Sequence, residues 1–215
     1  MEYVYFPACR YTALSARNSM NIQIYLRQIH HMQICGCCTA DYPVLTADTA
    51  AVTICPTCTA ILREQAPQAA VLSIWEFLLE DLSFPWPDYK GKELMVQDCW
   101  RSRDDRACQE AVRAVLKRMN IVPIEMEDNF EKTKFCGISL LCPPTKEEAR
   151  LAPELTAHWP EEKYKTREER IAAMQDYGRG LDAKEIVCYC NECMEGIRLA
   201  GKKGVHLMDL AAKNL

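Results

Sequence analysis

The sequence predicts an α/β protein made of two similar halves, each with short parallel strands alternating with helices. Short stretches rich in β-forming residues precede stretches of helical periodicity in both halves. The same order of strand, helix and cysteine occurs twice along the 215 residues. The chain is 49% hydrophobic, which is enough to bury a core in one domain or two small ones. Strands that alternate with helices favour mainly parallel sheets.

Each half begins with a predicted strand that ends close to a cysteine. Residues 2–10, EYVYFPACR, and residues 92–101, KELMVQDCWR, are both rich in β-forming residues. Apolar side chains then recur at helical spacing over residues 14–29 and again over residues 108–119. We therefore expect one helix after the first strand of each half.

A cysteine loop, a second strand and a second helix complete each half. The loops are QICGCCTADYP at residues 33–43 and KFCGISLLCPP at residues 134–144. A short apolar strand, a Cys-x-x-Cys pair and a helix start follow in AVTICPTCTAIL, residues 51–62, and in EIVCYCNECMEGI, residues 185–197. Ligands of parallel α/β sheets bind beyond the carboxyl ends of the strands. We therefore expect metal sites at those ends.

The predicted boundary between the halves lies in SFPWPDYKGK, where two prolines and a glycine interrupt the helical pattern. The first repeat then spans residues 1–88 and the second spans residues 89–215. The second repeat carries a charged helical insertion at about residues 143–184 that has no counterpart in the first. Its charges predict a solvated face.

Composition narrows the possible partners and the compartment. The net charge of -4 supplies no broad basic field for nucleic acid or for an anionic membrane. No apolar run approaches the roughly 18 to 20 residues that span a bilayer. The start of the sequence, MEYVYFPACR, lacks the pattern of a signal peptide. We therefore expect a cytoplasmic protein that neither spans a membrane nor binds nucleic acid.

The thirteen cysteines indicate metal or redox chemistry. A reducing compartment does not maintain structural disulfides, and an odd number cannot pair completely within the chain. Three alternatives remain open for a Cys-x-x-Cys pair such as Cys55 and Cys58: part of an iron-sulfur cluster, half of a zinc site, or a redox dithiol. In the last case the start of a helix would lower a thiol pKa.

Nine cysteines stand at repeated positions in the two halves. In the first half they are Cys9, Cys37, Cys38, Cys55 and Cys58. In the second half they are Cys99, Cys136, Cys190 and Cys193. Together with FPAC near the start and CPTC after a short strand, this order resembles the duplicated CCG cysteine-rich domain. That domain occurs in the heterodisulfide reductase B subunit and in related subunits of glycerol-3-phosphate, lactate and succinate-linked oxidoreductases.

The resemblance covers nearly the whole chain and implies an iron-sulfur oxidoreductase or electron-transfer subunit. It implies that the five cysteines of the first half bind a [4Fe-4S] cluster, possibly of the noncubane kind, at which a small disulfide is reduced. It implies a second metal centre, an iron-sulfur cluster or zinc, at the four cysteines of the second half. No nucleotide fingerprint such as G-x-G-x-x-G occurs. By analogy, the electrons would come from a partner iron-sulfur or flavoprotein subunit.

The number of thiols bears on the choice of metal. Zinc needs about four ligands, so five thiols favour a cluster in the first half. Four thiols in the second half suit either a cubane cluster or an all-cysteine zinc site. Phe135 stands where the resembled pattern has a cysteine, and Cys188 is a candidate substitute. The alternative function is a zinc-binding structural or interaction protein with zinc at both sites and no redox chemistry. The sequence alone identifies no catalytic residue.

Overall fold

Two four-stranded parallel sheets form the framework of the chain. The computed structural model describes residues 1–40, 42–183 and 185–215. Within these residues, one sheet has the strand order β2-β1-β3-β4 and the other β6-β5-β7-β8. The strands are β1 (Glu2–Phe6), β2 (Gln33–Ile34), β3 (Thr49–Thr53), β4 (Ala70–Ser73), β5 (Lys92–Gln97), β6 (Ile121–Glu125), β7 (Glu185–Cys188) and β8 (Lys203–His206). The predicted α/β class with parallel sheets is confirmed.

The two sheets repeat one connectivity. In each, the first strand of the half lies at the centre beside the strand that leads into the Cys-x-x-Cys pair. Val4 pairs with Ala51 in the first sheet, and Val96 pairs with Val187 in the second. The carboxyl ends of the two paired strands therefore lie side by side in each sheet. The cysteines that follow these strands consequently lie at one edge of the sheet, which we call the rim.

Helices connect the strands in both halves. They are α1 (Cys9–Leu14), α2 (Ala16–His30), α3 (Pro56–Gln65), α4 (Ile74–Glu80), α5 (Arg106–Arg118), α6 (Lys146–Leu151), α7 (Pro153–Ala157), α8 (Arg167–Arg179), α9 (Asn191–Leu199) and α10 (Leu207–Ala211). Within the described residues, no helix combines the length and the apolar character needed to cross a membrane.

The helical pattern of the first half required a correction, whereas that of the second half did not. The helix expected over residues 14–29 is observed as α2, but a separate short helix, α1, precedes it, and the chain turns at Ser15 between them. Ile22 is buried, but Leu14 at the turn is exposed. In α5, the N-cap Asp105 accepts a hydrogen bond from the backbone amide of Cys108, and the predicted apolar stripe is buried.

Contacts between the halves place their cysteine-bearing rims against each other. Tyr11 in α1 donates a hydrogen bond to Asp209 in α10, with 2.9 Å between Oη and Oδ1. Gln65 at the end of α3 donates to the carbonyl oxygen of Leu151 at 2.9 Å. The first-half cysteines consequently face residues of the second half across a shared cavity.

The insertion in the second half is more than a solvated face. Its charged side chains are largely exposed, but Trp159 and Met174 are buried. Tyr177 of α8 stacks on Phe135, with ring centroids 4.4 Å apart. The expectation drawn from its charges was therefore incomplete, since the insertion covers the cysteine loop that contains Phe135.

Candidate metal centres

Four cysteines of the second half converge in a closed cluster. Their Sγ atoms all lie within 4.8 Å of one another, and all four residues are buried. The Sγ atoms of Cys99 and Cys136 are 3.5 Å apart, and those of Cys136 and Cys190 are 3.9 Å apart. Cys193 completes the group, which we call the closed quartet. The quartet is close enough to bind a metal.

The local fold explains why these four thiols meet. Cys99 follows β5, while Cys190 is the N-cap residue of α9 after β7. Cys193 lies one turn further along α9, so its thiol returns to the same rim. Cys136 comes from the loop between the sheet and the insertion. Two adjacent parallel strands, one helix start and one loop therefore supply the four thiols.

A buried polar network holds the backbone on either side of the quartet. Asp98, directly before Cys99, is fully buried. Its carboxylate accepts hydrogen bonds from Arg113 at 2.6 and 2.8 Å and from Tyr189 at 2.8 Å. Tyr189 directly precedes Cys190. One carboxylate therefore couples the ends of the two strands that present metal-ligand candidates.

The charge balance of the closed quartet suits a cation. Hydrogen bonds from Cys190, Cys193 and Cys99 hold the pKa of Cys136 well below its usual range. Burial raises the pKa of Cys99 and of Cys193. Metal binding needs thiolates, and the charge of a bound metal ion stabilises thiolates that burial otherwise disfavours.

Two sulfur–sulfur distances in the quartet are close to those around a single tetrahedral ion. With Zn–S bonds of about 2.3 Å, ligand sulfurs around a tetrahedral ion lie about 3.8 Å apart. The separations of 3.5 and 3.9 Å bracket this value. A four-iron cluster places several atoms between its thiolates, so its ligand sulfurs lie further apart than those around one ion.

The five candidate cysteines of the first half form a different kind of site. They line a cavity of about 340 Å³ that also contacts the second half. Cys38 and Cys58 are buried, whereas Cys9 is exposed. Cys37 and Cys55 are partly buried. This open group is larger and more accessible than the closed quartet.

Several thiols of the open group contact one another. The Sγ atoms of Cys9 and Cys37 are 4.0 Å apart. A hydrogen bond from Cys58, with backbone amides and the charge of Arg101, lowers the pKa of Cys55 to about 6. The pKa of Cys58 is raised by the hydrogen bonds that Cys58 makes with Cys38 and Cys55. Cys55 is also the N-cap residue of α3, where the helix dipole favours a negative charge.

Arg101 links the two cysteine groups. Its side chain is 2% exposed, and it donates to Glu148 with 3.0 Å between Nη2 and Oε1. It lines the cavity of the open group, and its charge lowers the pKa of both Cys55 and Cys136. The buried guanidinium therefore offsets thiolate charge on both sides.

The sequence around Arg101 does not identify Glu148 as its partner. Glu148 lies in the charged insertion, and only its place in the capping box of α6 has a local sequence signal. Arg10, at the equivalent position of the first repeat, is exposed and pairs with Glu192 at the start of α9. The two arginines that follow the repeated cysteines therefore differ in burial.

The remaining cysteines lie outside the closed quartet and the open group. Cys188, the candidate substitute ligand, is buried at the end of β7 but is not among the four sulfurs that lie within 4.8 Å. The ring at Phe135 stacks on Tyr177 instead of facing a metal. Cys35 and Cys108 are buried, and Cys142 is partly buried.

Together, the fold and the sites define an α/β protein of two repeated halves with a closed four-cysteine centre beside an open five-cysteine cavity. Neither protein-family models nor curated proteins yield a match to this chain. Its function must therefore be argued from the sites themselves.

Proposed function

We propose that the protein is an iron-sulfur oxidoreductase or electron-transfer subunit of the heterodisulfide reductase B type. The observation that carries the proposal is the pairing of an open five-thiol cavity with a closed four-thiol centre through Arg101. In this proposal the open group holds a [4Fe-4S] cluster and the closed quartet holds a single metal ion.

The open group is the proposed place of reaction because a substrate can reach it. Cys9 is exposed, and the cavity of about 340 Å³ has room beyond the thiols themselves. Five thiols exceed the needs of one zinc ion and suit a polynuclear site. A bound cluster would supply or accept electrons one at a time. Reduction of a small disulfide takes up two electrons and two protons and releases two thiols.

The chain's own residues would hold and tune that site. Cys37 and Cys38 approach from the loop, and Cys55 and Cys58 approach from the start of α3. Arg101 supplies a fixed positive charge near the thiolates, where low polarity strengthens its effect. These features favour the thiolate forms that metal binding needs.

The closed quartet is proposed to act as a structural staple, since a zinc ion has no redox chemistry with which to relay electrons. Its four residues are buried, and sites with four protein ligands leave no coordination position for a substrate. The 3.5 and 3.9 Å separations favour a single ion such as zinc over a cluster at this position.

The electron donor and the compartment are part of the same proposal. A partner iron-sulfur or flavoprotein subunit would supply electrons. All thirteen cysteines are free, which suits a reducing compartment such as the cytoplasm. The acidic net charge gives no support for a nucleic-acid partner.

The second candidate is a zinc-binding structural or interaction protein without redox chemistry. The spacing of the closed quartet favours it, because a fold with one well-shaped zinc centre needs no cluster for stability. Zinc at both groups would make the protein colourless. A dithiol enzyme that uses only Cys55 and Cys58 would not need Cys9, so a fully active Cys9→Ser variant would favour it.

Metal analysis of anaerobically purified protein tests the proposal. We expect iron, acid-labile sulfide and broad visible absorption, together with zinc. Cys9→Ser should remove iron and sulfide but keep zinc, and Cys193→Ser should remove zinc. Cys142→Ser, outside both groups, is the matched control and should change neither. Zinc alone, with no visible absorption in the wild-type protein, would sink the cluster proposal and favour the second candidate.

A further inference from the structure

A smaller cavity adjoins the open group on the side of the charged insertion. Its volume is about 200 Å³. The cysteine loop of the second half lines it with Ile138 and Cys142, and the insertion lines it with Thr145, Trp159 and Arg170. None of the nine cysteines at repeated positions is among the described residues of this lining. This cavity, which we call the arginine cavity, is therefore separate from the two cysteine groups.

The arginine cavity and the cavity of the open group share a wall. The residues that line both are Arg10, Arg101, Thr145, Glu148 and Glu192. Two ion pairs form part of this wall. Arg10 pairs with Glu192, and Arg101 pairs with Glu148 at 3.0 Å between Nη2 and Oε1. A ligand in the arginine cavity would therefore lie next to the open group.

The charges that line the arginine cavity do not cancel. Its five charged residues are the four members of these two ion pairs and Arg170. Nε of Arg170 donates to the carbonyl oxygen of Thr166 at 3.3 Å. Its two Nη atoms make no hydrogen bond or ion pair within the described residues. One positive charge is left over, so the lining favours an anion.

The nearby carboxylates are already engaged or lie elsewhere. Oε1 of Glu148 accepts from Arg101, and Oε2 accepts from the backbone amide of Thr145 at 2.9 Å. Glu147 is exposed and lines the cavity of the open group but not the arginine cavity. An anionic group is therefore favoured on the side of Arg170 and not on the side of the thiols.

The lining also offers a hydroxyl donor and apolar surface. Oγ1 of Thr145 accepts the backbone amide at the third position of α6, at 3.1 Å, and its own hydrogen has no acceptor in the described part of the chain. Trp159 is buried, and its Nε1 donates to the carbonyl oxygen of Cys142 at 2.9 Å, which fixes the ring. Ile138 adds further apolar surface. The cavity thus suits an anionic group on a short apolar body.

We propose that the arginine cavity binds the carboxylate group of a small organic acid. The two Nη atoms of Arg170 would donate to the carboxylate, and the hydroxyl of Thr145 would add a third donor. A water molecule takes up about 30 Å³ in the liquid, so the cavity has room for an acid of a few carbon atoms. Free acids and disulfides with an acidic arm share this chemistry. The inference goes beyond the proposed function and requires no particular metal at the cysteine sites.

Titration calorimetry of the purified, metal-containing protein tests the cavity. Butyrate is the short acid, and butyramide, which has the same shape without the charge, is its comparison compound. We expect butyrate to bind saturably at millimolar concentration. Butyramide should bind at least about tenfold more weakly, because an uncharged amide cannot pair with the guanidinium charge.

Two longer probes distinguish a free acid from a disulfide with an acidic arm. They are 3,3′-dithiodipropionate, which carries a carboxylate at each end of a disulfide, and suberate, in which carbon replaces both sulfur atoms. Tighter binding of the disulfide than of suberate would support a disulfide ligand whose sulfur atoms reach the open group. Equal or weaker binding of the disulfide would support a free acid.

Variants then locate the binding. Arg170→Gln should weaken butyrate binding about tenfold and leave butyramide binding unchanged. A purely structural role of Arg170 would instead weaken both compounds alike. Arg167→Gln, at an exposed position of the same helix and outside the lining, is the matched control and should have no effect. Circular dichroism and metal content confirm that each variant is folded.

Three results would overturn the inference. The first is no saturable binding of butyrate, suberate or 3,3′-dithiodipropionate at millimolar concentration. The second is equal binding of butyrate and butyramide. The third is wild-type affinity for butyrate in a folded Arg170→Gln variant. Absence of iron in the metal analysis would count against the proposed function but leave these results standing, since carboxylate binding involves no redox step.

Discussion

Gly137 and Gly196 touch backbone to backbone at the closed quartet. A Cβ atom on Gly196 would lie 2.4 Å from Cα of Gly137, which no side chain can occupy without displacing the loop. Gly137 also has a φ of 56°, in the left-handed region that favours glycine. The close approach lets the loop that carries Cys136 rest on α9, which carries Cys193. Glycine at both positions, Gly137 and Gly196, is therefore needed to place Cys136 in the quartet.

We expect Gly196→Ala to separate Cys136 from the other thiols. The variant should bind zinc at least about tenfold more weakly, since a ligand displaced from the site lowers affinity strongly. A competition titration with a chelator measures this change. Gly36→Ala is the matched control in the first cysteine loop, because a Cβ there meets nothing within 4 Å. Wild-type zinc affinity in Gly196→Ala would contradict the expectation.

Arg113→Leu should destabilise the second half severely. Arg113 neutralises Asp98, which is fully buried, and also pairs with Glu125 at 2.6 Å. Removing one partner of a buried ion pair costs about 3–5 kcal/mol, because the other charge stays buried without compensation. Urea unfolding measures the loss.

Arg106→Leu is the control for this change on the same helix. Arg106 is exposed and its ion pair with Glu110 is a surface one. Its loss should change the free energy of unfolding by less than about 1 kcal/mol. Equal effects of the two substitutions would show that the Asp98 network does not carry the stability assigned to it.

Arg101→Gln should weaken metal retention at both cysteine groups. Four thiolates around a divalent ion leave a net negative charge, and the buried guanidinium offsets part of it. Loss of such a neighbouring charge is expected to lower affinity about 10- to 100-fold. The rate of metal release to a chelator measures the effect. Arg103→Gln, whose guanidinium lies over Trp100, should release metal at the wild-type rate.

The buried His206 should make stability depend on pH. Burial lowers its pKa to about 4, despite the nearby carboxylate of Asp209. Below its unfolded pKa of about 6.5, the unfolded chain binds a proton that the folded chain does not, so stability falls as the pH drops toward about 4. Between about pH 7 and pH 5 the contribution lost is about 2 kcal/mol.

Comparison with His206→Asn isolates this contribution, because the other titrating groups are common to both proteins. The difference in unfolding free energy between wild type and variant should shrink by about 2 kcal/mol on going from about pH 7 to pH 5. Parallel pH curves would show that His206 takes up a proton equally in the folded and unfolded chains.

The repeated pattern predicted much of the fold. The strands within residues 2–10 and 92–101 follow from their β-forming residues, and the apolar face of α5 follows from helical periodicity, because the side chains that face the core recur about every 3.6 residues. The break at Ser15 was not visible, since the apolar spacing of residues 14–29 continues through it. Leu14 fits that spacing although its side chain is exposed, so the periodicity extended the predicted helix past the turn.

For the sites, the sequence by itself indicated that Cys99 and Cys190 follow strands, and the structure brings them together with Cys136 and Cys193. Only the tertiary structure decided that this group is buried and closed, while the first group opens on a cavity. It also decided that Arg101 is buried between them. The residue type decides which atoms can bind a metal. The distances between those atoms, their burial and their access to solvent depend on how segments distant in sequence pack together, and the sequence does not state those distances.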